Sequence, residues 1–402
     1  MTDFVHLHVH SDYSLLDGCA KIGRLMKYTG SCGMKALALT DHGNMFGAID
    51  FYEKGKAAGI KPIIGSELYL VIDHKNTEKP QRGRVDAEGN EIGGGSLQNK
   101  IYHMGLLAQD NVGYANLVKL VSDAHQKGFY YRPRTDIEKL AAHAQGLIGF
   151  SGCLQGVIPQ HLLHGDEAGA RKHLERFIEI FTKERFIIEL QDHGLAEQKR
   201  INPILLKLAK EYGLMAVCTN DSHYVEQGDH IAHDMLLCIQ TGAKLADTDR
   251  MRFDVTEFFV KTPQQMAAIF GEEPQLLSNT LAIAERCDVT FDFKKNNYPT
   301  YRMTPEERKA HPNHFEMLRS ICVGKLEQKY GVKYDPQSAD VHQKEISVRL
   351  DFELSMIQKM GFVDYFLIVQ DIVAWSVAQK IPISARGSAV GSMVSYILDI
   401  GN

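Results

Sequence analysis

Three histidines occupy alternate positions in the run FVHLHVH at residues 4–10. Alternate side chains of an extended strand share a face, so the spacing predicts that His6, His8 and His10 point one way and the valines and leucine the other. Imidazoles gathered on a buried face are costly unless they bind something, and imidazole is a common metal ligand. The alternative is an edge strand with histidines facing solvent. The run continues into Asp17 and other polar residues, which favours a metal site.

Ligand-competent side chains also follow the other apolar runs. They are Asp41-His42 after 36–40, Glu67 after 62–66, His103 after 101–102, Cys153 after 147–152, and Asp221 with His223 after 217–220. Histidine, cysteine and carboxylate side chains suit zinc, manganese or iron. The carboxyl ends of parallel strands lie on one face of an α/β fold, where active sites form. The shared location predicts one metal centre. Glu189 and His193 also sit at a strand end, where structural hydrogen bonding near the rim is favoured, and His6 is expected to support the ligands.

The elements that would position these residues alternate between strand and helix. We predict strands at 4–10, 36–42, 62–71, 101–108, 146–153, 185–191 and 214–220, and helices at 46–58, 114–127, 166–182 and 195–212. Repeated strand-then-helix units are typical of a parallel sheet with crossover helices. Seven such units favour an α/β barrel related to the TIM type, with an open doubly wound sheet as the alternative. The polar, glycine-rich stretch 79–100 is predicted to be a solvent loop or a flap over the site.

The character of the sequence changes after residue 252. Helical patterns at 262–270, 273–286, 314–330, 343–360 and 365–378 follow one another without an intervening strand, and a strand–loop–helix is predicted at 381–400. We place a domain boundary near residue 270, which gives domains 1–270 and 271–402. The Gly/Ser-rich loop at 382–392 opens a helix, where backbone N–H groups are free to bind phosphate. Its candidate phosphate-binding residues are Arg386, Gly387, Ser388, Gly391 and Ser392.

Composition narrows the functional classes. The 402 residues are 44% hydrophobic and 24% charged, which excludes disordered, collagen-like and coiled-coil proteins. No apolar run approaches the ~18 residues of a membrane helix, and the first residues lack a signal-peptide pattern, so no membrane partner and a cytoplasmic location are expected. The net charge of −5 indicates that nucleic acid would bind through a local patch or through metals. The 7 cysteines form no CxxC pair, which is typical of reduced thiols.

Six short motifs together resemble one family. HxH at 8–10, TDHG at 40–43, GSE at 65–67, YH at 102–103, SGCL at 151–154 and NDSHY at 220–224 resemble the polymerase-and-histidinol-phosphatase (PHP) domain. More closely, FVHLHVHSDYSLLDG, TDHGNMFGAIDFYEKGKAAGIKPIIG and HDMLLCIQTG resemble the amino-terminal part of the C-family of bacterial replicative DNA polymerases, the DNA polymerase III alpha subunits. The resemblance covers essentially the whole chain.

The resemblance implies an α/β fold, a distorted seven-stranded (β/α) barrel, that holds up to three divalent metals, zinc, manganese or iron, through nine ligands. In this sequence they are His8, His10, Asp17, His42, Glu67, His103, Cys153, Asp221 and His223. Clustered metals of this kind hydrolyse phosphodiesters. The expected activity is therefore a 3′→5′ exonuclease that removes a mismatched primer end.

The resemblance also implies that residues 271–402 begin the polymerase palm, whose glycine–serine motif holds the incoming nucleotide. Ser384-Ala385 replaces the family's Gly-Pro-Gly before the arginine, and the sequence stops before the aspartates that bind Mg for polymerisation. The whole protein is expected to synthesise DNA on a primer-template with a proofreading exonuclease and a sliding clamp as partners, and this chain alone is expected not to polymerise. The alternatives are a non-catalytic PHP scaffold that docks the exonuclease, and a free-standing phosphatase of small phosphomonoesters.

Overall fold

The computed structural model describes residues 3–15, 17–79, 84–85, 91–92, 97, 100–253, 255–294, 297–384, 386–387 and 391–401. The strands in these residues are β1 (Ala36–Leu39), β2 (Lys61–Val71), β3 (Arg84–Val85), β4 (Glu91–Ile92), β5 (Tyr102–Ala108), β6 (Phe129–Tyr130), β7 (Arg132–Asp136), β8 (Leu147–Phe150), β9 (Phe186–Gln191) and β10 (Ala216–Thr219). Strands β3 and β4 pair only with each other. Most of the predicted loop at 79–100 lies outside the described residues, so its role as a flap or solvent loop stays a prediction.

Helices follow most of these strands. They are α1 (Ile22–Ser31), α2 (Ala48–Ala57), α3 (Asn111–Gln126), α4 (Ile137–Ala142), α5 (Val157–Leu163), α6 (Glu167–Phe181), α7 (Ala196–Tyr212), α8 (His230–Thr241), α9 (Pro263–Phe270), α10 (Gln275–Arg286), α11 (Pro305–Ala310), α12 (His314–Tyr330), α13 (Val341–Lys359), α14 (Val363–Ala378) and α15 (Met393–Ile397). Several begin at a side-chain cap: Asp110 accepts from the Gly113 amide, and Thr262 forms a capping box with Gln265. The structure confirms every predicted helix. These are the helices at 46–58, 114–127, 166–182, 195–212, 262–270, 273–286, 314–330, 343–360 and 365–378.

Seven extended segments form a ring. β1 pairs with β2, β2 with β5, β5 with β8, β8 with β9, and β9 with β10. Residues 4–10 close the ring, because the Ala38 amide donates to the His6 carbonyl at 2.9 Å and the His10 amide donates to the Ser222 carbonyl at 2.8 Å. This segment is extended and bends at residue 8, and it is not a regular strand. The predicted distorted seven-stranded barrel is thus confirmed over the open sheet.

The barrel interior is filled at the end where its parallel strands begin. Each of the seven segments contributes a buried apolar side chain to one cluster, namely Leu7, Ala38, Ile63, Leu107, Ile148, Ile187 and Val217. Ile283, Ala284 and Cys287 of α10 and its carboxyl end complete the cluster. Helix α10 is fixed by Asn279, which donates to the Ala216 carbonyl at 2.7 Å. The filled lower half leaves the strand carboxyl ends as the open face of the barrel.

The sheet is mixed, whereas repeated strand–helix units predicted a parallel one. β5 runs antiparallel to both of its neighbours, β2 and β8. The physical reason is the connection: a parallel pair needs a crossover of a dozen or more residues, usually helical, and an antiparallel pair does not. The described residues between β2 and β5 contain no α-helix. Because β5 is reversed, His103 near its beginning reaches the same rim as residues at the ends of the parallel strands.

The chain divides into two compact units, Met1–Phe291 and Asp292–Asn402. The division falls later than the boundary we predicted near residue 270, because α10 packs into the barrel core. The second unit has its own core around Leu318, Leu350, Leu354, Leu367 and Val394. Residues 381–384, predicted to be extended in a strand, are irregular, and α15 follows at Met393–Ile397.

Within the described residues, no single helix is long and apolar enough to cross a bilayer. Only α13 and α14 together satisfy that test of length and composition, and they are bent by 111° relative to each other.

Candidate metal centre

The structure brings all nine predicted ligands together at the open face of the barrel. His8 and His10 come from the segment that closes the ring, Asp17 from the turn that follows, and Glu67 from the middle of β2. The other five come from the ends of β1, β5, β8 and β10 or from residues close to them. Three groups among them place their ligand atoms within 4.8 Å of one another: His10, His42 and His223; His8, His10 and Asp221; and His42, Glu67 and His103. The groups share residues, so they form one continuous cluster.

Glu67 lies at the centre of this cluster and is 1% exposed. Its Oε2 is 2.7 Å from His42 Nδ1 and 3.2 Å from His103 Nδ1. Its Oε1 is 3.5 Å from His8 Nε2 and 3.8 Å from the Cys153 sulfur. A carboxylate with both oxygens turned toward different imidazoles could bind metal together with those imidazoles.

Asp221 occupies a comparable position at the end of β10. Its Oδ1 is 3.2 Å from the Nε2 atoms of both His8 and His10, and 3.6 Å from His223 Nδ1. Asp221 has a φ of 44°, in the left-handed region that side chains other than glycine seldom adopt. Such strain is concentrated at functional sites, and here it accompanies a carboxylate that three histidines surround. Asp17 completes the set, with Oδ2 3.3 Å from His42 Nε2.

His6 does not share the face of His8 and His10, contrary to the strict alternation we predicted. The bend at His8 shifts the alternation by one residue, so Leu7 and His8 both face the interior, one in the apolar core and one in the ligand cluster. The His6 Nε2–H donates to the Lys261 carbonyl at 2.8 Å, and its ring packs edge-on against Phe4. His6 therefore anchors the segment rather than supporting the ligands.

Two glycines of the quoted motifs are required by local geometry. Gly43 has a φ of +60°, and a Cβ there would lie 2.8 Å from the ring of Pro133. A Cβ on Gly65 would lie 2.4 Å from the carbonyl oxygen of Leu106 on β5. These glycines let the backbone turn after His42 and let β2 approach β5 closely, and the segments that carry His42 and Glu67 meet in a parallel bridge.

The chemistry of the donor set fits bound divalent cations. Asp17 Oδ1, Glu67 Oε2, Asp221 Oδ1 and His42 Nδ1 are buried polar atoms without a hydrogen-bond partner among the described residues. Glu67 Oε2 and His42 Nδ1 are close to each other, yet neither is aimed at the other as a hydrogen-bond partner. Buried carboxylate oxygens are costly unless a positive charge compensates them. Atoms that converge without bonding to each other are suited to hold metal ions between them.

The pKa values of His8, Glu67 and Cys153 reflect the close packing of buried carboxylates and imidazoles in this cluster. Burial alone would lower the pKa of His8, but the carboxylates of Asp221, Glu189 and Glu67 raise it to about 10. Burial likewise opposes ionisation of Glu67, yet His103, His42 and His8 bring its pKa well below the ordinary value. Burial, with Glu67 and Asp221 nearby, raises the pKa of the Cys153 thiol well above the usual range. The carboxylates around His8 thus place at the cluster a negative charge that a bound cation would neutralise.

Two sets of supporting contacts orient the first two histidines. His8 Nδ1–H donates to Glu189 Oε1 at 2.7 Å, which leaves His8 Nε2 facing the cluster. His10 Nδ1–H donates to the Ser14 hydroxyl at 2.9 Å, and that hydroxyl donates to Asp41 Oδ1 at 2.8 Å. A carboxylate behind a histidine ligand fixes its ring and raises its basicity. The sequence predicts only a structural role for Glu189, because its contact with His8 joins residues 181 positions apart and leaves no local pattern. The sequence also predicts no role for Ser14 or Asp41 in orienting His10, although Ser14 is near His10 in the chain.

The predicted phosphate loop lies in the second unit and is described only in part. Arg386, Gly387 and Gly391 are exposed, and Ser388 lies outside the described residues. Ser392 caps α15, and its hydroxyl donates to Glu353 Oε2 at 2.9 Å. The Val394 amide donates to the same oxygen at 3.1 Å. A carboxylate thus binds the helix start at which we predicted a phosphate, and phosphate binding there stays a prediction.

Comparisons with known proteins agree with this geometry. Residues 6–193 match the model of the PHP domain, and residues 316–402 match the model described as the bacterial DNA polymerase III alpha NTPase domain. DNA polymerase III subunit alpha of Treponema pallidum is 41% identical over 99% of this chain and 32% of its own length. The same subunit of Thermus aquaticus is 38% identical over 99% of this chain and 36% of its own length.

Among solved structures, one described as a putative metal-dependent phosphoesterase from Bifidobacterium adolescentis aligns at a TM-score of 0.34 and 15% identity, over 56% of this chain and 88% of its own.

The barrel with its rim of ligands therefore defines a PHP domain. The chain belongs to the bacterial DNA polymerase III alpha family, as its sequence resemblance indicated. It spans about a third of the length of the curated relatives that it matches.

Proposed function

We propose that this chain is the PHP-containing part of a replicative DNA polymerase and that its barrel is a multinuclear metal centre that hydrolyses phosphodiesters from the 3′ end. The observation that carries the proposal is the convergence of nine ligand-competent side chains whose buried carboxylate oxygens lack partners among the described residues. In the whole protein, template-directed synthesis with Mg on a primer-template is the proposed activity, and a sliding clamp and an exonuclease subunit are the proposed partners. The proposed metals of the barrel are zinc, manganese or iron, up to three in number.

The residues of the centre would have different roles, which follow from the chemistry of their side chains. Divalent metals bound there would lower the pKa of a bound water and neutralise the phosphate oxygens. Glu67 and Asp221, each between several imidazoles, would hold the metals together with the surrounding histidines. Glu189 and the Ser14–Asp41 pair hold the rings of His8 and His10 in one orientation. The apolar lower half of the barrel keeps water out from beneath the site.

The second unit supports the polymerase part of the proposal without completing it. Its family match extends from residue 316 to 402, and the predicted phosphate loop lies within that range. We propose that Arg386, Gly387, Ser388, Gly391 and Ser392 contact the incoming triphosphate in the whole protein. Glu353 would then have to release the start of α15, because its carboxylate occupies the same donors.

The test is shortening of a 5′-labelled primer with a mismatched 3′ end by the metal-loaded chain. His10→Ala should abolish the shortening, since His10 takes part in two of the three ligand groups. His164→Ala is the matched control, because His164 is exposed on the surface after α5 and should cut normally. Metal-loaded protein that cuts nothing would instead favour the scaffold that docks a separate exonuclease. Primer extension by this chain alone would contradict its assignment as a polymerase fragment without synthesis.

A further inference from the structure

A cavity of about 250 Å³ lies over the metal centre and has two chemically different walls. One wall consists of six of the nine predicted ligands. In the other, Leu154, Leu195, Met251, Phe253 and Phe258 supply apolar surface beside the polar side chains of Gln155, Gln191, His193 and Gln198. Leu154, Leu195, Phe253 and Phe258 are each half-buried, so part of every side chain is open to the cavity. Hydrolysis of a bare phosphate group requires no such wall.

The aromatic part of the wall is held rigidly. The Phe258 ring is stacked on His193 at 4.0 Å, and Phe253 packs against Phe258 at 4.5 Å with its ring tilted by 62°. His193 is fixed in turn: its amide donates to Gln198 Oε1 at 2.8 Å, and its Nε2–H donates to the Asn220 carbonyl at 3.0 Å. A ring surface held in this way loses little conformational freedom when a flat ligand stacks on it.

This wall begins directly beside the ligands. The Phe253 ring centre is 5.5 Å from that of His223, and the Phe258 ring centre is 6.0 Å from it. A molecule that places its phosphate against His223 would therefore reach the phenylalanines with a group only a few bonds away. In a nucleotide that group is the base, attached through one sugar.

We propose that Phe253 and Phe258 form a nucleobase subsite that binds the base of the terminal nucleotide at the scissile phosphodiester. The inference rests on the proposed function, which it extends from a phosphodiester to a nucleotide with a stacked base. Stacking on aromatic side chains binds bases without strong sequence preference, as a proofreading site requires. At about 250 Å³ the cavity lies just below the roughly 300 to 1,000 Å³ of small-molecule sites, a size closer to one nucleotide than to a base pair. A mismatched end, which frays most readily, would enter most easily.

The test compares two closed-ring probes: thymidine 5′-monophosphate, and 1,2-dideoxyribose 5-phosphate, in which hydrogen replaces the base at C1. Their dissociation constants are measured by calorimetry with manganese-loaded protein. We expect the nucleotide to bind about ten-fold more tightly or better, the effect of one base–aromatic stack. Phe253→Ala should bring the two constants close together, whereas Phe253→Tyr should keep them apart. Phe129→Ala, which removes an exposed ring from β6, is the control and should keep the native ratio.

Equal affinities in the native protein, or a native ratio in Phe253→Ala, would overturn the subsite. Metal content and circular dichroism of Phe253→Ala show whether its fold and centre are intact, and Phe258→Leu provides a second variant if they are not. The outcomes remain separable from those of the proposed function. A chain that binds the nucleotide selectively but cuts no DNA end would keep the subsite and refute hydrolysis. A chain that cuts DNA but shows no preference for the base would keep hydrolysis and refute the subsite.

Discussion

Replacing Glu189 with glutamine tests how the centre is supported, because the substitution changes charge with little change in shape. Three donors converge on Glu189 Oε1: His8 Nδ1 at 2.7 Å, Thr219 Oγ1 at 2.5 Å and Gln191 Nε2 at 3.1 Å. The other oxygen, Oε2, is buried without a partner among the described residues, so an amide nitrogen can take its place. The three contacts can therefore persist while the negative charge behind His8 is lost.

The expected effect follows from the contact to His8. A carboxylate behind a histidine ligand raises the ligand's basicity, and its loss typically weakens metal affinity roughly ten- to one-hundred-fold, or about 1.4 to 2.8 kcal/mol. The assay is competition of the protein with a metal-binding dye of known affinity, for native protein and Glu189→Gln. Glu197→Gln on the exposed face of α7 is the matched control and should bind metal normally.

A purely structural role for Glu189 predicts a different pattern. The melting temperature of the metal-free protein would then fall in Glu189→Gln, and metal affinity would follow only through the loss of folded protein. Our account predicts that metal affinity falls while the metal-free protein remains folded at the assay temperature. Unchanged metal affinity in Glu189→Gln would refute the reasoning that this carboxylate tunes His8.

Three further predictions concern the fold and the second unit. Burial lowers the pKa of His6 to about 4, so its contribution to stability, about 3 kcal/mol, is complete above about pH 6.5 and declines as the pH falls toward 4. Urea unfolding in the presence of chelator should therefore show a shallower loss of stability below pH 6.5 in His6→Asn than in the native protein. Equal slopes in the two proteins would contradict this prediction. Ile283→Ala should cost about 2 to 5 kcal/mol in the same assay because Ile283 fills the end of the barrel, and a cost below 1 kcal/mol would show that α10 is not part of its core. Glu353→Ala should lower the melting temperature of the second unit by removing the acceptor at the start of α15, a contact of about 1 kcal/mol, whereas an unchanged melting temperature would show that the contact contributes nothing.

The shared location of most candidate ligands was accessible from the sequence because they lie in or near extended segments that meet at one rim, whereas the full set of nine, including Asp17 in a turn, was implied by the family resemblance. Chain order and the alternation of strand and helix are local properties, and they place such residues together without knowledge of distances. His103 shows the limit of that argument: β5 is reversed, and His103 reaches the rim from the beginning of a strand. The location was correct, although the parallel sheet from which it was argued was not.

The features that escaped prediction depend on long-range packing. The bend at His8 breaks an otherwise regular alternation, and only the closing of the ring against β1 and Ser222 shows that His6 must face the other way. The contact of Glu189 with His8 joins residues 181 positions apart. The late division at Phe291 has the same origin, since a helix pattern at 273–286 does not reveal that α10 fills a barrel.

The number of metal ions bound per chain tests the central claim most directly. Native protein and Glu67→Gln are stripped of metal with chelator, equilibrated with manganese or zinc, and freed of excess metal. The metal bound per chain is then measured by inductively coupled plasma mass spectrometry. We predict more than one equivalent in the native chain and a clear loss in Glu67→Gln, because Glu67 lies between His8, His42 and His103. A native chain that retains no metal, or a Glu67→Gln variant that retains as much as the native chain, would contradict the account.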